Sequence, residues 1–524
     1  MSLETGSVVY PNYCDWRAAQ RTFTDLAPFW RDSMNLSNQG EDTPPERIDG
    51  GRITWNMKSI KTLVLTLFLG CLLPCLLKST VAQEKQNVAI PDTPAGRVFA
   101  EFWTAYNTGD RELMRRFFLA NATQSNPNER REAADTRTAF VDNIYKGFRE
   151  LNLQSVERST SHAIVILGQS RVTEAWCKFE LEVDQAPPHG IAIGFTYAMP
   201  PMKASSRGRL SESEIVKQLD VYLQKMVTAE MFSGVVLFAK NGKPIITRAF
   251  GGSDKTSKLP NRIGTKFSLA SMSKIFTGVA VAQLAEQGAL SFDDPIGKFL
   301  PDYPNKEAAG KVTIHHLLTH SSGIGDFMDK DEFFAARQLA GGRLKSLNDY
   351  FAFFAKDSLL FEPGKEFRYS SSGFIILGAI IEKASGQIYF DYVTEHIFQP
   401  AGMSATDSRG KTGSPAGSAI STAEDLLKFD ISLRKHELLN PKYTDIVLTP
   451  KIDSAFGDRY AYGFFVRSRG KETRIVGHGG EAPGVNTQLD MYLSSGYTVV
   501  VLSDYDPPAA RNVATKLQEL ITQE

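Results

Sequence analysis

The chain is short of cysteine, has no surplus of charge of either sign and carries only one long apolar run, and each shortage excludes something. Four cysteines occur in 524 residues. Cys14, Cys71 and Cys75 lie in or before the apolar run, so beyond it only Cys177 remains and no internal disulfide is expected there. Lysine and arginine total 59, as do aspartate and glutamate. No net field therefore draws the molecule to nucleic acid or anionic lipid, and no basic stretch is interleaved with aromatics. Nucleic acid is excluded as an expected partner.

The apolar run, Thr62 to Leu77, contains Pro74 and falls short of the ~20 residues that span a bilayer, so no stable membrane span is expected. Lys58 and Lys61 precede it, and Thr80-Val81-Ala82 lies just before Gln83. That is the layout of a secretory signal, with small residues one and three positions ahead of the cut. Residues 57–82 are expected to be a signal peptide, with Met57 the start and residues 1–56 a poorly structured upstream extension. The expected location is secreted or periplasmic. The alternatives are an anchor through residues 62–77 or lipidation at Cys71, for which Phe68 is a poor residue three places earlier.

What remains is 42% hydrophobic and 10% aromatic over the whole chain, ample for one or two packed cores. Residues 93–200 show helical patterns first (Arg97 to Tyr106, Asp110 to Phe118, Arg130 to Phe148). Strand-like runs follow near Ser161 to Leu167, Glu174 to Val183 and Gly190 to Tyr197, an α+β order. The stretch FWTAYNTGDRELMRRFF loosely resembles the opening of the NTF2-like (SnoaL-like) cone fold. Residues 201–211, within the Pro-, Ser- and charge-rich MPPMKASSRGRLSESE, read as a linker. Ser211 with Glu214 then forms a capping box, opening a second domain over 212–524. Asn241-Gly242 between two β-rich runs signals a hairpin. Further strand-like runs near 460–466, 473–477, 485–493 and 497–502 follow a long helical middle, and 508–522 closes as a helix. Strands at both ends with helices between predict one sheet built from both ends of this domain.

The pattern Ser-x-x-Lys occurs four times, beginning at Ser271, Ser408, Ser432 and Ser468. After Ser271, the residues Met272, Ile275, Phe276 and Val279 predict an apolar helix stripe, which places Ser271 in the first turn of a buried helix. Lys274, three residues on, shares its face. Free N–H groups and the positive dipole end at a helix start oppose protonation of that lysine, and a neutral, desolvated lysine can serve as base for a serine. The other three serines stand in glycine-containing loops or at a charged helix end and are expected at the surface.

From these residues a resemblance emerges. SLASMSKIFTGVAVAQLAEQGALSFDDPIGKFLPDYP is similar to the serine β-lactamase and penicillin-binding-protein superfamily, in its β-lactamase-related branch. VTIHHLLTHSSGI, FEPGKEFRYSSSGFIILGAIIEKASGQ, PAGSAISTAEDLLKF and VGHGGEAPG follow in matching order over about 215–520. The resemblance implies an antiparallel sheet flanked by helices plus an all-helical region, here preceded by the small α+β domain. It implies Ser271, Lys274 and Tyr369 as catalytic residues, the last in a Tyr-Ser-Ser stretch where the family has Tyr-x-Asn. Ser371 therefore stands where an amide is expected. His478, Gly479, Gly480 and Glu481 are implied on the substrate and oxyanion side, with histidine replacing a lysine. Tyr303-Pro304-Asn305 and Lys411-Thr412-Gly413 match motif letters but sit in loop-like surroundings and are read as decoys.

The implied activity is acyl transfer through an acyl-enzyme, without cofactor or metal. The implied substrate is a small molecule or peptide with a hydrolysable acyl group: an ester, lactone, β-lactam or D-amino-acid peptide. Loss of the Ser371 amide and of fixed positive charge at His478 favours esterase-like chemistry. The alternative is a catalytically weak binding or scaffold protein. His315, His316 and His320 are read as structural, since no glutamate follows in HExxH fashion. Oligomeric state is left open.

Overall fold

In a computed structural model the described residues are 88–185, 190–199, 201, 209–253, 259–339, 344, 346–410, 413–470 and 472–523. The expected signal peptide, the upstream extension, most of the linker, and Lys411 and Thr412 of one decoy lie outside them. Among the described residues no helix is long and apolar enough to cross a membrane.

The first module begins with α1 (Pro94–Thr108), α2 (Arg111–Ala120) and α3 (Pro127–Phe148), then β1 (Leu151–Ser159), β2 (Ala163–Ser170), β3 (Trp176–Val183) and β4 (Ile191–Ala198). Each helix is started by its own sequence. Thr93 accepts from the Gly96 amide, Asp110 from Glu112 and Leu113, and Asn126 from Asn128, with proline at the first helical position of α1 and α3. The strands form an antiparallel sheet in sequence order. β1 is absent from the sequence expectation because LNLQSVERS is half polar, and its residues are mostly only half-buried. Phe99, Phe102, Tyr106, Phe117 and Phe179 fill the space between helices and sheet, with ring centroids 5.4–6.2 Å apart along the contacts of Phe102.

The second module opens with α4 (Glu212–Thr228), whose Ser211–Glu214 capping box is present as expected. β5 (Gly234–Lys240) and β6 (Lys243–Phe250) make the hairpin, and Asn241 and Gly242 both take positive φ, 49° and 75°. β7 (Phe267–Ser268) leads to α5 (Lys274–Glu286). A helical region follows, of which α6 (Ser371–Ser385) matters most, then β8 (Ile420–Ser421) and α7 (Ala423–Arg434). β9 (Ile452–Asp453), β10 (Arg459–Tyr460), β11 (Phe465–Arg469), β12 (Glu472–Ala482), β13 (Val485–Tyr492) and β14 (Tyr497–Ser503) precede α8 (Ala509–Thr522). The eight-stranded sheet runs β6-β5-β14-β13-β12-β11-β10-β9, so the expected sheet built from both ends is what forms.

Both faces of this sheet are covered, which explains the unbroken apolar run of β14. Val499 and Val501 join α4 and α8 on one face, while Val500 and Leu502 join α5 on the other. α5 departs from the expected stripe: every residue from Lys274 to Ala285 is buried. A helix enclosed on all sides needs apolar residues all round, which a one-sided periodicity misses.

The two modules meet along α4 and α8. Tyr222 donates its buried hydroxyl to the Thr173 carbonyl at 2.6 Å, and the Glu174 carboxylate pairs with Lys225 at 3.0 Å and Lys516 at 2.9 Å. Gly147 is packed so closely that an added Cβ would lie 2.4 Å from Pro508. Tyr222→Phe is expected to cost about 1–2 kcal/mol by stripping a buried carbonyl of its donor. Glu174→Gln should cost less than about 1 kcal/mol per half-exposed pair. Urea unfolding midpoints check this order; a Tyr222→Phe midpoint equal to the wild type would show that the buried bond contributes nothing.

Candidate active site

Ser271 is placed by a short backbone device. β7 pairs with β8, the Leu269 amide donates to the Ala419 carbonyl at 2.8 Å, and Ala270 then turns through a left-handed φ of 45°. That conformation costs a non-glycine residue about 1 kcal/mol or more and is held here by the surrounding pairing. The chain enters a tight 3₁₀ turn, Ala270–Ser273, before α5. Ser271 thus lies one turn ahead of the α-helix rather than in its first turn. The expected closeness to Lys274 survives, because residues three apart eclipse one another in a 3₁₀ turn.

Lys274 is fully enclosed, with 0% of its surface exposed. Its Nζ donates to Ser271 Oγ at 3.1 Å and to the Ala416 carbonyl at 2.7 Å. It also lies 4.9 Å from the Tyr369 ring centre and 5.5 Å from that of Phe374. Burial pushes its pKa well below the usual lysine range, opposed by the carboxylate of Asp326. The segment after Pro415 closes the other side: Pro415 accepts from Thr277, and the Ala419 amide donates to Ser273 Oγ at 3.1 Å.

Tyr369, Ser370 and Ser371 lead into α6. The Tyr369 hydroxyl is buried; it interacts with Ser271 but makes no fully formed hydrogen bond. Burial raises its pKa, so the phenol stays protonated. Ser371 is buried at the first position of α6, and its amide donates to Asp326 Oδ2 at 2.7 Å. Asp326 was not singled out by the sequence: the only available signal was its place two residues after the Ser-Ser-Gly-Ile stretch. His320, with a left-handed φ of 56°, accepts the Ser370 amide on Nδ1 and stacks 4.1 Å from the Tyr369 ring.

His478 lies on β12, 2% exposed. Its Nδ1 donates to the Gly479 carbonyl, and its Nε2 accepts the Tyr460 hydroxyl at 3.2 Å. Burial, followed by the nearby Lys274, depresses its pKa to about 3, so the ring is neutral. β12 then passes directly beside the serine turn. A Cβ on Gly480 would lie 1.9 Å from the Leu269 carbonyl oxygen, so only glycine permits this approach. The Gly479 position would meet the end of the Gln488 side chain at 2.7 Å. Glu481 is exposed at the strand's end, 3.9 Å from Arg511. Lys274 Nζ thus lies 3.1 Å from Ser271 Oγ and the His478 ring 6.4 Å from that of Tyr369, with Ser371 two residues after Tyr369 at the start of α6 and Gly479, Gly480 and Glu481 following His478 along β12.

The rival serines separate from it, though not as expected. Ser408 and Ser432 are buried rather than at the surface, donating to the Phe390 carbonyl and to Glu437. Lys435 beside Ser432 is exposed, while Ser468 is exposed as anticipated. Tyr303 is a core residue and Asn305 caps a short helix, accepting from Ala308. His315 bonds Tyr462, His316 accepts the Thr313 amide, and His320 faces Tyr369, so the three histidines have separate partners.

The sheet, the helical region and a serine bonded to a buried lysine define a hydrolase of the β-lactamase fold. The Beta-lactamase family model matches residues 220–523, and the chain belongs to that family. It is 28% identical over 330 residues to penicillin-binding protein 4* of Bacillus subtilis, covering 55% of this chain and 71% of that protein. A penicillin-binding protein structure from Bacillus halodurans aligns with a TM-score of 0.51 at 31% identity, over 56% of this chain and 98% of that one. EstCE1, described as a hydrolase with promiscuous acyltransferase activity, aligns with a TM-score of 0.53 over 59% of this chain and 99% of that one. At 20% identity the second likeness concerns the fold alone.

Gly480→Ala is expected to reduce hydrolytic kcat by about 100-fold, the scale of a ~1 Å misplacement of reacting groups. Gly479→Ala, which displaces the Gln488 side-chain end and crowds the Thr487 carbonyl only mildly at 3.3 Å, should lose less than about tenfold. Steady-state kinetics with one ester substrate check the contrast; equal losses would show that the approach to Leu269 is not what the glycine serves.

Proposed function

We propose that the protein is a secreted serine hydrolase that works through an acyl-enzyme on Ser271 and favours uncharged ester or lactone substrates. The observation that carries this reading is the enclosed Lys274 amine 3.1 Å from Ser271 Oγ. A lysine kept out of water is deprotonated far more easily than one in water and can take the serine proton as Oγ attacks a carbonyl carbon. The protonated Tyr369 is suited to pass a proton to the leaving group. The Ser271 amide and, by family position, that of Glu481 receive the oxyanion. Water then attacks the acyl-serine, and Lys274 and Tyr369 reverse their roles.

Charge supports the substrate preference. His478 is neutral where a lysine would attract a substrate carboxylate, and the charged groups acting on Tyr369 are both acidic, Asp326 and Glu481. At the rim Phe456, 62% exposed, lies 6.3 Å from the Tyr369 ring and 6.1 Å from that of Phe367. An exposed aromatic beside a site with a neutral imidazole at His478 suits an apolar acyl or alkoxy group. The names of the Bacillus relatives favour penicillin binding instead. The absent fixed cation and the missing amide at Ser371 count against it. Against a pure scaffold stands the cost of enclosing a lysine that does no chemistry, several kcal/mol for an ammonium in a dry interior.

The test is turnover of a short-chain p-nitrophenyl ester, a chromogenic cephalosporin and a D-alanyl anilide by protein beginning at Gln83. The ester should be turned over fastest and the activity should vanish in Ser271→Ala. Lys274→Ala should lose about 10²- to 10⁴-fold, the worth of general-base catalysis, and Lys411→Ala almost nothing. No turnover, with no adduct on Ser271 by intact mass, would favour the binding-protein reading. Secretion rests on residues 57–82, and a mature N-terminus at Gln83 is the expected result of N-terminal sequencing.

A further inference from the structure

α6 begins without a cap of its own. Ser370, the residue that should supply one, makes no side-chain bond to the first amides of the helix. The missing acceptor comes from 45 residues away: Asp326 Oδ2 takes the Ser371 amide at 2.7 Å, while Oδ1 takes the Met328 amide at 3.0 Å. The same two segments are tied twice more. Phe327 donates its amide to Ser372 Oγ at 2.9 Å, and Ser370 Oγ donates to the Gly325 carbonyl at 3.3 Å. Tyr369, two residues before the clamped amide, is thereby fixed against the Lys274 amine, whose Nζ lies 4.9 Å from its ring.

We propose that Asp326 is a positioning residue for the reaction. Its carboxylate clamps the start of α6 so that Tyr369 faces Ser271. The inference rests on the reading of Lys274 as base.

The charged and titratable groups around the amine come from four directions. Asp326 acts from the loop after His320, Tyr369 from the approach to α6, His320 from the turn after the helix Ile314–Leu318, and His478 from β12. Both histidines are depressed chiefly by burial and so stay uncharged; Asp326, whose pKa burial raises to about 6 against the Ser371 and Met328 amides, is the anion acting on Lys274 above that pH. Asp329, which lies 3.9 Å from Arg368, acts on Asp326 in turn, and Glu481 acts on Tyr369. A nearby anion favours the ammonium, so wild-type kcat/KM should rise with pH through a limb below the ~10.4 of a free lysine. Removing the anion should move that limb to still lower pH.

The experiment is the pH profile of ester kcat/KM for the wild type, Asp326→Asn and Asp326→Glu, each first checked for folding by thermal melting. Asp326→Asn keeps an acceptor for one amide and loses the charge; its acid limb is expected about one pH unit lower. Asp326→Glu keeps the charge on a longer arm; its limb should stay within about 0.3 units of the wild type while kcat falls several-fold as the clamp shifts. A limb in Asp326→Asn that coincides with the wild type overturns the electrostatic role. A wild-type kcat in Asp326→Glu overturns the clamp, even where the asparagine variant does not fold. Should Ser271→Ala retain full activity, the acyl-enzyme reading fails instead, a result distinct from either outcome at Asp326.

Discussion

The active-site half of the molecule is organised around one amine from which water is excluded. An ammonium ion moved into a dry interior loses several kcal/mol of hydration, and among the described residues no carboxylate forms a direct ion pair with Lys274 to offset the loss. The group is instead ringed by a carbonyl, a hydroxyl and the faces of Tyr369 and Phe374. That ring demands that α5 be covered on all sides, by sheet on one face and by α6 and its neighbours on the others. The same demand accounts for Gly278, where a Cβ would come within 2.2 Å of the Tyr462 carbonyl.

A dry amine also governs what its neighbours carry. Two imidazoles lie close enough to feel Lys274, and both are held neutral mainly by their own burial. His320 spends its Nδ1 lone pair on the Ser370 amide and its face on Tyr369; His478 spends both ring nitrogens on hydrogen bonds within the protein. Neither is therefore a cation available to a substrate carboxylate. Asp326 and Glu481 both act on Tyr369, and burial raises the pKa of Asp326 to about 6, so its charge too depends on how dry its surroundings are.

The sequence made the Ser271–Lys274 pair, the module order and the two-ended sheet legible, because each has a local signature: spacing of three, runs of apolar residues and turn residues such as Asn241-Gly242. It overstated the surface character of Ser408 and Ser432. Glycine and charge nearby mark loops and helix ends, but burial depends on the surrounding fold, and there each hydroxyl finds an acceptor, the Phe390 carbonyl and the Glu437 carboxylate. It also missed β1, whose one-sided burial gives a weak pattern, and read a stripe on α5 where the whole surface is enclosed. The left-handed Ala270 carries no sequence signal at all, since alanine is not a residue that announces positive φ.

Asp326 escaped for a further reason, which recurs elsewhere in the fold. Capping is read from sequence by looking for an acceptor at the residue just before a helix. Ser370 before α6 and Pro508 before α8 make no such bond. Both helices borrow an acceptor from another strand or loop: Asp326 for α6, and Asn486 on β13 for α8, whose Oδ1 takes the Ala510 and Arg511 amides at 2.7 and 3.0 Å. Each borrowed cap also reaches a segment beside Ser271, Asp326 through the approach to Tyr369 and Asn486 by donating to the Gly480 carbonyl on β12 at 3.3 Å. A local cap stabilises only its helix, whereas a borrowed one also fixes the distance between two elements. α8 is in turn the helix on which the first module rests, through Lys516–Glu174 and the bond from Asn512 to the Gly147 carbonyl. The strand edge beside the Ser271 turn is thus continuous, through Asn486 and α8, with the first module.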